Sequence, residues 1–555
     1  MRQIQFKSWG RRGVKALILG VSLGALTACD DLLQVELPHL LTDAAIEGSG
    51  TAELQVMSAM ALFECGYTAF GLMAMGAEDT MESIAGVYGG GHVYDESPDT
   101  GSCDGSSTSD SWFDQIMGAR AMISTDPALL VSTATGQGRG VYDRIANEWD
   151  LGAAEPRLQG IGAIYMAMSL AHFGEFLCEM ALDGSDIMSP TTTLGLAQTW
   201  IDRAMTHTGA DFALPNSAAP SAATAAKAIR ARIRWANRDF AGAASDASAV
   251  LAADPDFTHW ITREAGATRR NKIWHNATEV GFSAMQGRVD WWNPSIRLAN
   301  PAYPQSSTYA GTWPDPIPFT GYLFLGIGTE GETLQSLTWG SSLGPVVYAE
   351  EDRDPTTGDP VLIAGFAGTH DTRVTHHQQP IQGPTPEDVP DRYSGLDDDV
   401  PYMSWQELQF IIAKNELEQG NLANVITRIN TVRTAASLQN IVGAYATSLD
   451  TAEELRFVLH EERKREFFAE GGRFWSTKIQ NTDIAWFPLS QGATPFQGYS
   501  YLGAGRQHFA YSEYQSNPYF IAAGALDARA TGCTNEWPGA DPASGRGGQA
   551  PRLRI

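Results

Sequence analysis

Apolar residues recur every three or four positions over most of this chain, the spacing that places them on one side of a helix. Leu194, Ala197, Ile201 and Ala204 share one face, Ala225, Ile229, Arg232 and Ala236 a second, and Phe240, Ala243, Ala247 and Leu251 a third. Residues 50–75 predict a largely apolar helix interrupted near Gly66 and Gly71; residues 111–117 open another, and helical patterns continue through residues 141–149 and 156–176. Within the last of these, residues 162–174 read GAIYMAMSLAHFG, and a Met and Ala stripe of this kind is core packing. Helix returns at residues 404–419 and 422–435. The turn from Arg238 to Ala243 parallels the one from Gly420 to Val425, each between two amphipathic helices, so a helical-pair unit recurs.

The helical pattern breaks twice. Residues 86–110 turn to Gly, Ser, Asp and Tyr and predict a long loop, the kind of segment that carries function in compact domains. Tyr88, His92 and Tyr94 make it a candidate ligand rim, with the isolated His92 read as a surface residue rather than a metal ligand. Residues 260–400 are rich in Pro, Gly, Trp and Tyr, with short strand-like runs at 345–348 and 360–366, and predict a loop-rich insertion. Trp291, Trp292, Tyr303, Tyr309, Trp313 and Tyr322 sit there in Pro- and Asn-rich loops. Sugar rings pack their axial C–H faces on such π surfaces, and Asp290, Asn293 and Arg297 are available to hydrogen-bond the hydroxyls. The same aromatics fit a second reading, in which they cement an irregular subdomain lacking a regular core. His376-His377 read as a solvated loop rather than a metal site, and no metal or cofactor is expected.

One stretch puts charge where apolar residues belong. Residues 455–478 read LRFVLHEERKREFFAEGGRFWSTK, with Asp450 as the cap of the predicted helix and Glu453 reaching back. Leu455, Val458 and Leu459 set a stripe whose continuation lands on Glu462 and on Arg465 or Glu466. Buried charges need partners. Gly471-Gly472 ends the helix, and Arg473 follows close to the helix that carries Glu462. Periodicity by itself also fits a solvated surface helix with incidental charges.

The 555 residues suffice for a large core, and 64 Asp and Glu against 38 Lys and Arg give a formal charge of −26. That balance argues against nucleic acid or an anionic membrane surface as the main partner. Arg2, Lys7, Arg11, Arg12 and Lys15 form a basic head before an apolar run from Ala16 to Ala25, too short to span a bilayer and read as a signal peptide. Leu26-Thr27-Ala28-Cys29 resembles the bacterial lipobox, which implies cleavage after residue 28 and acyl chains on Cys29; lasting attachment takes more than one chain. Four cysteines follow, Cys65, Cys103, Cys178 and Cys533, and an oxidising compartment predicts two disulfides with the pairing open.

The run from Glu462 through Arg465, Glu466, Gly471 and Gly472 to Trp475 resembles the signature helix and turn of the SusD/RagB family of bacterial outer-membrane nutrient-binding lipoproteins. Residues 162–174, 417–423 with Ile429 to Arg433, His370-Asp371-Thr372-Arg373 and 509–518 resemble other segments of that family. Ser476 and Ile479 stand where it has Asp and Arg. The helical pairs resemble tetratricopeptide units, which need about three stacked copies, so further helices must complete them. The family resemblance implies a mainly α, SusD-like fold with tetratricopeptide-type helical pairs and a loop-rich, irregular subdomain with short strands. It implies a signal peptide over residues 1–28 and one domain over 29–555, with the scaffold at about 40–257 and 402–480 and the ligand or partner region at about 260–400. It implies a lipid-anchored, non-catalytic protein facing the cell exterior, which binds a glycan or peptide and delivers it to a SusC-like TonB-dependent outer-membrane transporter. Ligand contacts are expected from Tyr88, Tyr94, Trp291, Trp292, Tyr309 and Trp313. A surface glycosidase or peptidase and a tetratricopeptide scaffold for protein partners are the alternatives. The chain has no His-Glu-x-x-His helix. Gly340-Ser341-Ser342-Leu343-Gly344 has the letters of a nucleophile elbow, but Pro345 and a strand-like run follow where a helix is required.

Overall fold

The computed structural model describes residues 48–77, 82–83, 112–125, 140–266, 269–275, 283–284, 373, 376–380, 386–438, 440–441, 451–480, 506 and 517–522. The chain divides into a unit Met1–Thr51, described only in the single helical turn Ser49–Thr51 and the one residue before it, and a unit Ala52–Ile555.

Three helices begin where the sequence supplies a capping side chain. The hydroxyl of Ser189 accepts from the Thr192 N–H, Ser221 does the same for Thr224, and the Asp239 carboxylate does so for Gly242. In chain order the elements are α1 (Ala52–Ala77), β1 (Glu82–Ser83), α2 (Trp112–Ile123), α3 (Val141–Asn147), α4 (Glu155–Phe176), α5 (Pro190–His207), α6 (Ala222–Ala236) and α7 (Phe240–Ala253). Then come β2 (Thr258–Ile261), a helical turn at Lys272–Trp274, β3 (Ser283–Ala284), β4 (His376–Pro380), β5 (Pro386–Pro390) and β6 (Val400–Ser404). Helix resumes with α8 (Trp405–Glu418), α9 (Leu422–Ala435), α10 (Ala452–Glu466), α11 (Arg473–Gln480) and α12 (Pro518–Ala522). The fold is mainly α, with short strands in the stretch between α7 and α8.

Neighbouring helices pack in succession: α4 on α5, α5 on α6, α6 on α7, α7 on α8, α8 on α9, and α10 against both α8 and α9. The pairs α4–α5, α6–α7 and α8–α9 thus supply the three stacked units that a helical-pair array needs. The two turns that look alike in sequence are alike in geometry. Arg238 and Gly420 both take a positive φ, their N–H groups bond to the carbonyls of Trp235 and Leu417, and the next N–H groups, of Asp239 and Asn421, bond to those of Arg234 and Glu416. This is the Schellman arrangement, in which a left-handed residue lets the last carbonyls of the helix find donors.

Every residue of α4 from Leu158 to Phe176 is buried, as expected of a helix apolar on all sides. The predicted faces at Leu194, Ala197, Ile201 and Ala204 and at Ala225, Ile229, Arg232 and Ala236 are likewise buried. The predicted interruption of α1 is corrected: the helix is continuous through Gly66 and Gly71. A Cβ on Gly66 would lie 2.9 Å from the Trp112 carbonyl, so that glycine permits close approach of α2 rather than a break. The loop expected at His376-His377 is also corrected. Both lie in β4, opposite Pro390 and Val389 of antiparallel β5, with Pro380 and Pro386 at the closed end of the ladder where missing donors cost least. Cys65 and Cys178 are both disulfide-bonded; Cys103 and Cys533 lie outside the described residues.

The imidazole of His172 sits among five aromatic rings, with centroids at 4.1 Å for Phe70, 5.0 Å for Phe176, 5.5 Å for Trp112, 6.0 Å for Tyr67 and 6.4 Å for Phe173. Neither ring nitrogen has a hydrogen-bond partner, and burial, then the Arg232 guanidinium, push its pKa well below the ordinary range. His259, also buried with both nitrogens unpartnered, is pushed down to about 3 by burial. The unfolded chain therefore binds protons that the folded one refuses. The contribution of these groups is complete above pH 6.5 and is lost as pH falls from there, for His259 toward about 3, by up to about 1.4 kcal/mol per pH unit for each. His172→Phe is expected to flatten the acid limb of a denaturant-midpoint-against-pH curve; an unchanged slope contradicts this role.

Candidate functional site

The charges that interrupt the stripe of α10 are buried. Leu455, Val458 and Leu459 are at 1% exposure or less, and so are Glu462 and Arg465. The solvated-helix alternative is excluded. Glu462 accepts from Arg433 Nη1 of α9 at 2.6 Å and from Arg373 Nη1 at 2.9 Å, and the same Arg373 nitrogen lies 3.5 Å from Glu466. Arg473 lies close to the end of the helix that carries Glu462, over the Phe467 ring at 4.1 Å, and donates to Glu407 Oε2 of α8 through Nη2 at 2.6 Å and Nε at 3.1 Å, to Ser404 Oγ at 3.0 Å, and to Glu470. Glu470 also meets Arg392. The direction of Arg473 is set by the turn between α10 and α11. Ala469, Gly471 and Gly472 all take a positive φ, which swings Arg473 away from Glu462 and toward α8. Gly471 abuts Gly71 of α1: a Cβ on it would lie 3.1 Å from the Gly71 Cα.

A further layer continues from this turn. Arg232 of α6 donates to Glu175 Oε2 of α4 at 3.0 Å and to the Tyr402 carbonyl at 2.9 Å, while Ser476 donates to the other Glu175 oxygen. Ser476 thus ties α11 to α4 without the acid that the SusD/RagB pattern carries there. Arg463 donates from Nε to Thr477 Oγ1 at 2.7 Å, and its guanidinium stands over Trp235 at 4.8 Å and Phe467 at 5.0 Å. Burial works against the Glu407 carboxylate, but Arg473, Arg232 and Arg463 together hold its pKa below the ordinary value. For Arg463 burial prevails over Glu407, and its pKa falls to about 10.

A second buried carboxylate lies in α1. Glu64, at 0% exposure, accepts from Arg263 at 3.0 Å, Arg269 at 3.4 Å and the Tyr165 hydroxyl at 3.4 Å. Burial pushes it up to about 7 against the pull of both guanidinium groups. A carboxyl poised near neutrality is a common mark of acid-base catalysis. Here its cause is full burial under two arginines, which is a structural position.

The six predicted ligand residues, Tyr88, Tyr94, Trp291, Trp292, Tyr309 and Trp313, lie outside the described residues, as do Cys29 and Ser342. The described residues nearest to them in sequence are two short strands: β1 pairs antiparallel with β3, Glu82 opposite Ala284 and Ser83 opposite Ser283. Before residue 276 the chain is tied at Asn271, whose N–H bonds to the Leu396 carbonyl at 2.6 Å and whose side chain donates to the Asp398 carbonyl at 3.0 Å; Arg373 is the next described residue after 283–284. Glu64, Glu175, Glu407 and Arg232 were not among the predicted site residues. Their signal in sequence is a lone charge within an apolar helix face, plainest at Arg232 between Ile229 and Ala236.

Residues 412–478 match the model of the SusD family, and the resemblance of residues 462–475 to the SusD/RagB signature holds. No curated protein matches the chain. Among solved structures, a SusD-like carbohydrate binding protein from Bacteroides vulgatus shares 13% identity over 78% of this chain and 82% of its own, with a TM-score of 0.45. A SusD superfamily protein from the same organism shares 14% over 88% and 99%, at 0.44, and one from Bacteroides thetaiotaomicron 10% over 86% and 93%, at 0.42.

Removing one member of a buried ion pair exposes the other to an uncompensated environment, at a cost of roughly 3–5 kcal/mol. Glu462→Gln is therefore expected to lower unfolding free energy by an amount of that order. Arg157→Ala, which breaks a pair with the 62%-exposed Glu53, is expected to cost less than about 1 kcal/mol. Equal losses in denaturant titrations of the two variants contradict the assignment.

Proposed function

We propose that this chain, whose 412–478 segment is of the SusD family, is a lipid-anchored, non-catalytic binding protein of the outer membrane. It captures an oligosaccharide or peptide from outside the cell and delivers it to a SusC-like TonB-dependent transporter. The observation that carries this reading is the family match across the signature helix, whose charges are buried and paired in the described structure. Acyl chains on Cys29 hold the mature chain, one domain over residues 29–555, at the membrane.

Binding is non-covalent. Trp291, Trp292, Tyr309 and Trp313, with Tyr88 and Tyr94 from the earlier loop, offer ring faces to sugar C–H groups or to apolar side chains of a peptide, and neighbouring polar groups select among hydroxyls. The pairing of β1 with β3 supports this division of labour in that it brings together the short strands that precede the two aromatic segments in sequence. A scaffold fixed by buried ion pairs lowers the ordering cost of binding, because the attachment points are set before the ligand arrives.

The joint change Trp291→Ala and Trp292→Ala is expected to weaken binding at least about tenfold, or ~1.4 kcal/mol, to whichever member of an oligosaccharide and peptide panel the unaltered protein binds in calorimetry. The unfolding midpoint is expected to stay in place. Unchanged affinity excludes that pair as the platform, and turnover of a panel member that disappears with Ser342→Ala would favour the enzyme alternative.

A further inference from the structure

The arginines and glutamates of the buried networks are not distributed at random along the chain. The carboxylates belong to the helical scaffold: Glu64 to α1, Glu462 and Glu466 to α10, and Glu470 to the turn after it. Two of the guanidinium groups that reach them, Arg433 on Glu462 and Arg473 on Glu470, come from the scaffold itself, and the others come from the segments on either side of residues 276–372. On the incoming side, Arg263 and Arg269 both reach Glu64. Arg269 also donates to the Thr262 carbonyl at 3.0 Å and hydroxyl at 2.7 Å, and the Arg263 N–H donates to Asp399 at 2.6 Å. On the outgoing side, Arg373 reaches Glu462 and Glu466, and Arg392 reaches Glu470.

We propose that Glu64 and Glu462 are positioning residues: each holds one root of the 276–372 stretch on the helical scaffold, Glu64 through Arg263 and Arg269, and Glu462 through Arg373. Their bearing on ligand capture rests on the reading that this stretch supplies ligand contacts; the clamp itself does not. The two ends differ in kind. Glu462 takes one guanidinium from the returning root and one from within the scaffold, Arg433, whereas both guanidinium groups on Glu64 come from the departing root.

Glu64 also makes the incoming hold sensitive to protons. It faces Arg263 and Arg269 from the segment after β2 and the Tyr165 hydroxyl from α4, with Asp399 acting on Arg263, Glu264 on Arg269, and the His259 ring 6.4 Å from that of Tyr165. Burial raises its pKa to about 7. Above that value the carboxylate is charged and takes both guanidinium groups; below it the neutral acid holds them less firmly.

Hydrogen exchange with mass spectrometry on the full chain tests this, with rates corrected for intrinsic pH dependence. Glu64→Gln is expected to raise exchange about tenfold in peptides spanning 262–275 and 391–399 while α4 and α6 keep their protection. The unaltered chain is expected to show the same local rise when pH is lowered from one unit above to one unit below 7, and the variant no further change. Arg373→Gln is expected to raise exchange in 373–390 alone. Unaltered exchange at either root, or a uniform rise across all helices in the variants, overturns the proposal. If these local effects appear but the Trp291 and Trp292 variant still binds its panel ligand unchanged, the ligand reading fails and the clamp stands.

Discussion

Guanidinium groups paired with carboxylates inside the helical scaffold are the constraint on which the rest of this structure depends. Taking such ions out of water is costly, and their mutual attraction only roughly offsets that cost when geometry is close and further hydrogen bonds are made. The value of the arrangement is therefore in what it forbids. Glu407 must find Arg473, Glu462 must find Arg373 and Arg433, and Glu175 must find Arg232 and Ser476. One packing of α4, α6, α8, α9, α10 and α11 meets these demands together. The positive φ at Gly471 and Gly472, and the contact of Gly471 with Gly71, aim the Arg473 end of the turn.

The same pairing links scaffold to function. A helical-pair array is a rigid, extended support, and a stretch of nearly a hundred residues that leaves it at 275 and returns at 373 needs fixed ends if its aromatic residues are to meet a ligand in a reproducible geometry. Arg263, Arg269 and Arg373 supply those ends. Under the proposed function, capture at the cell exterior and transfer to a barrel are the work of one anchored chain that binds through ring faces.

Much of the fold was legible in the sequence because helical faces are a one-dimensional signal. The apolar spacing at Leu194 to Ala204 and Ala225 to Ala236 identified the buried sides, and the turns at Arg238 and Gly420 identified the repeat. Gly66 and Gly71 misled because a glycine that breaks a helix and one that lets another backbone approach look the same in sequence; only the neighbour, Trp112 or Gly471, distinguishes them. His376-His377 misled because a two-stranded ladder depends on a partner ten or more residues away. The partners of Glu462 were legible only as a need. That Arg433 and Arg373 meet it depends on how α9 and the chain at residue 373 pack against α10, which no spacing rule encodes.

The central claim is an outer-membrane binding protein that works with a transporter, and co-purification tests it most directly. The lipidated chain, expressed in its native membrane, extracted in mild detergent and identified with its companions by mass spectrometry, is predicted to bring with it a large TonB-dependent barrel in near-equal amount. Recovery of the chain alone, from an extract in which that barrel is demonstrably present, would contradict the account.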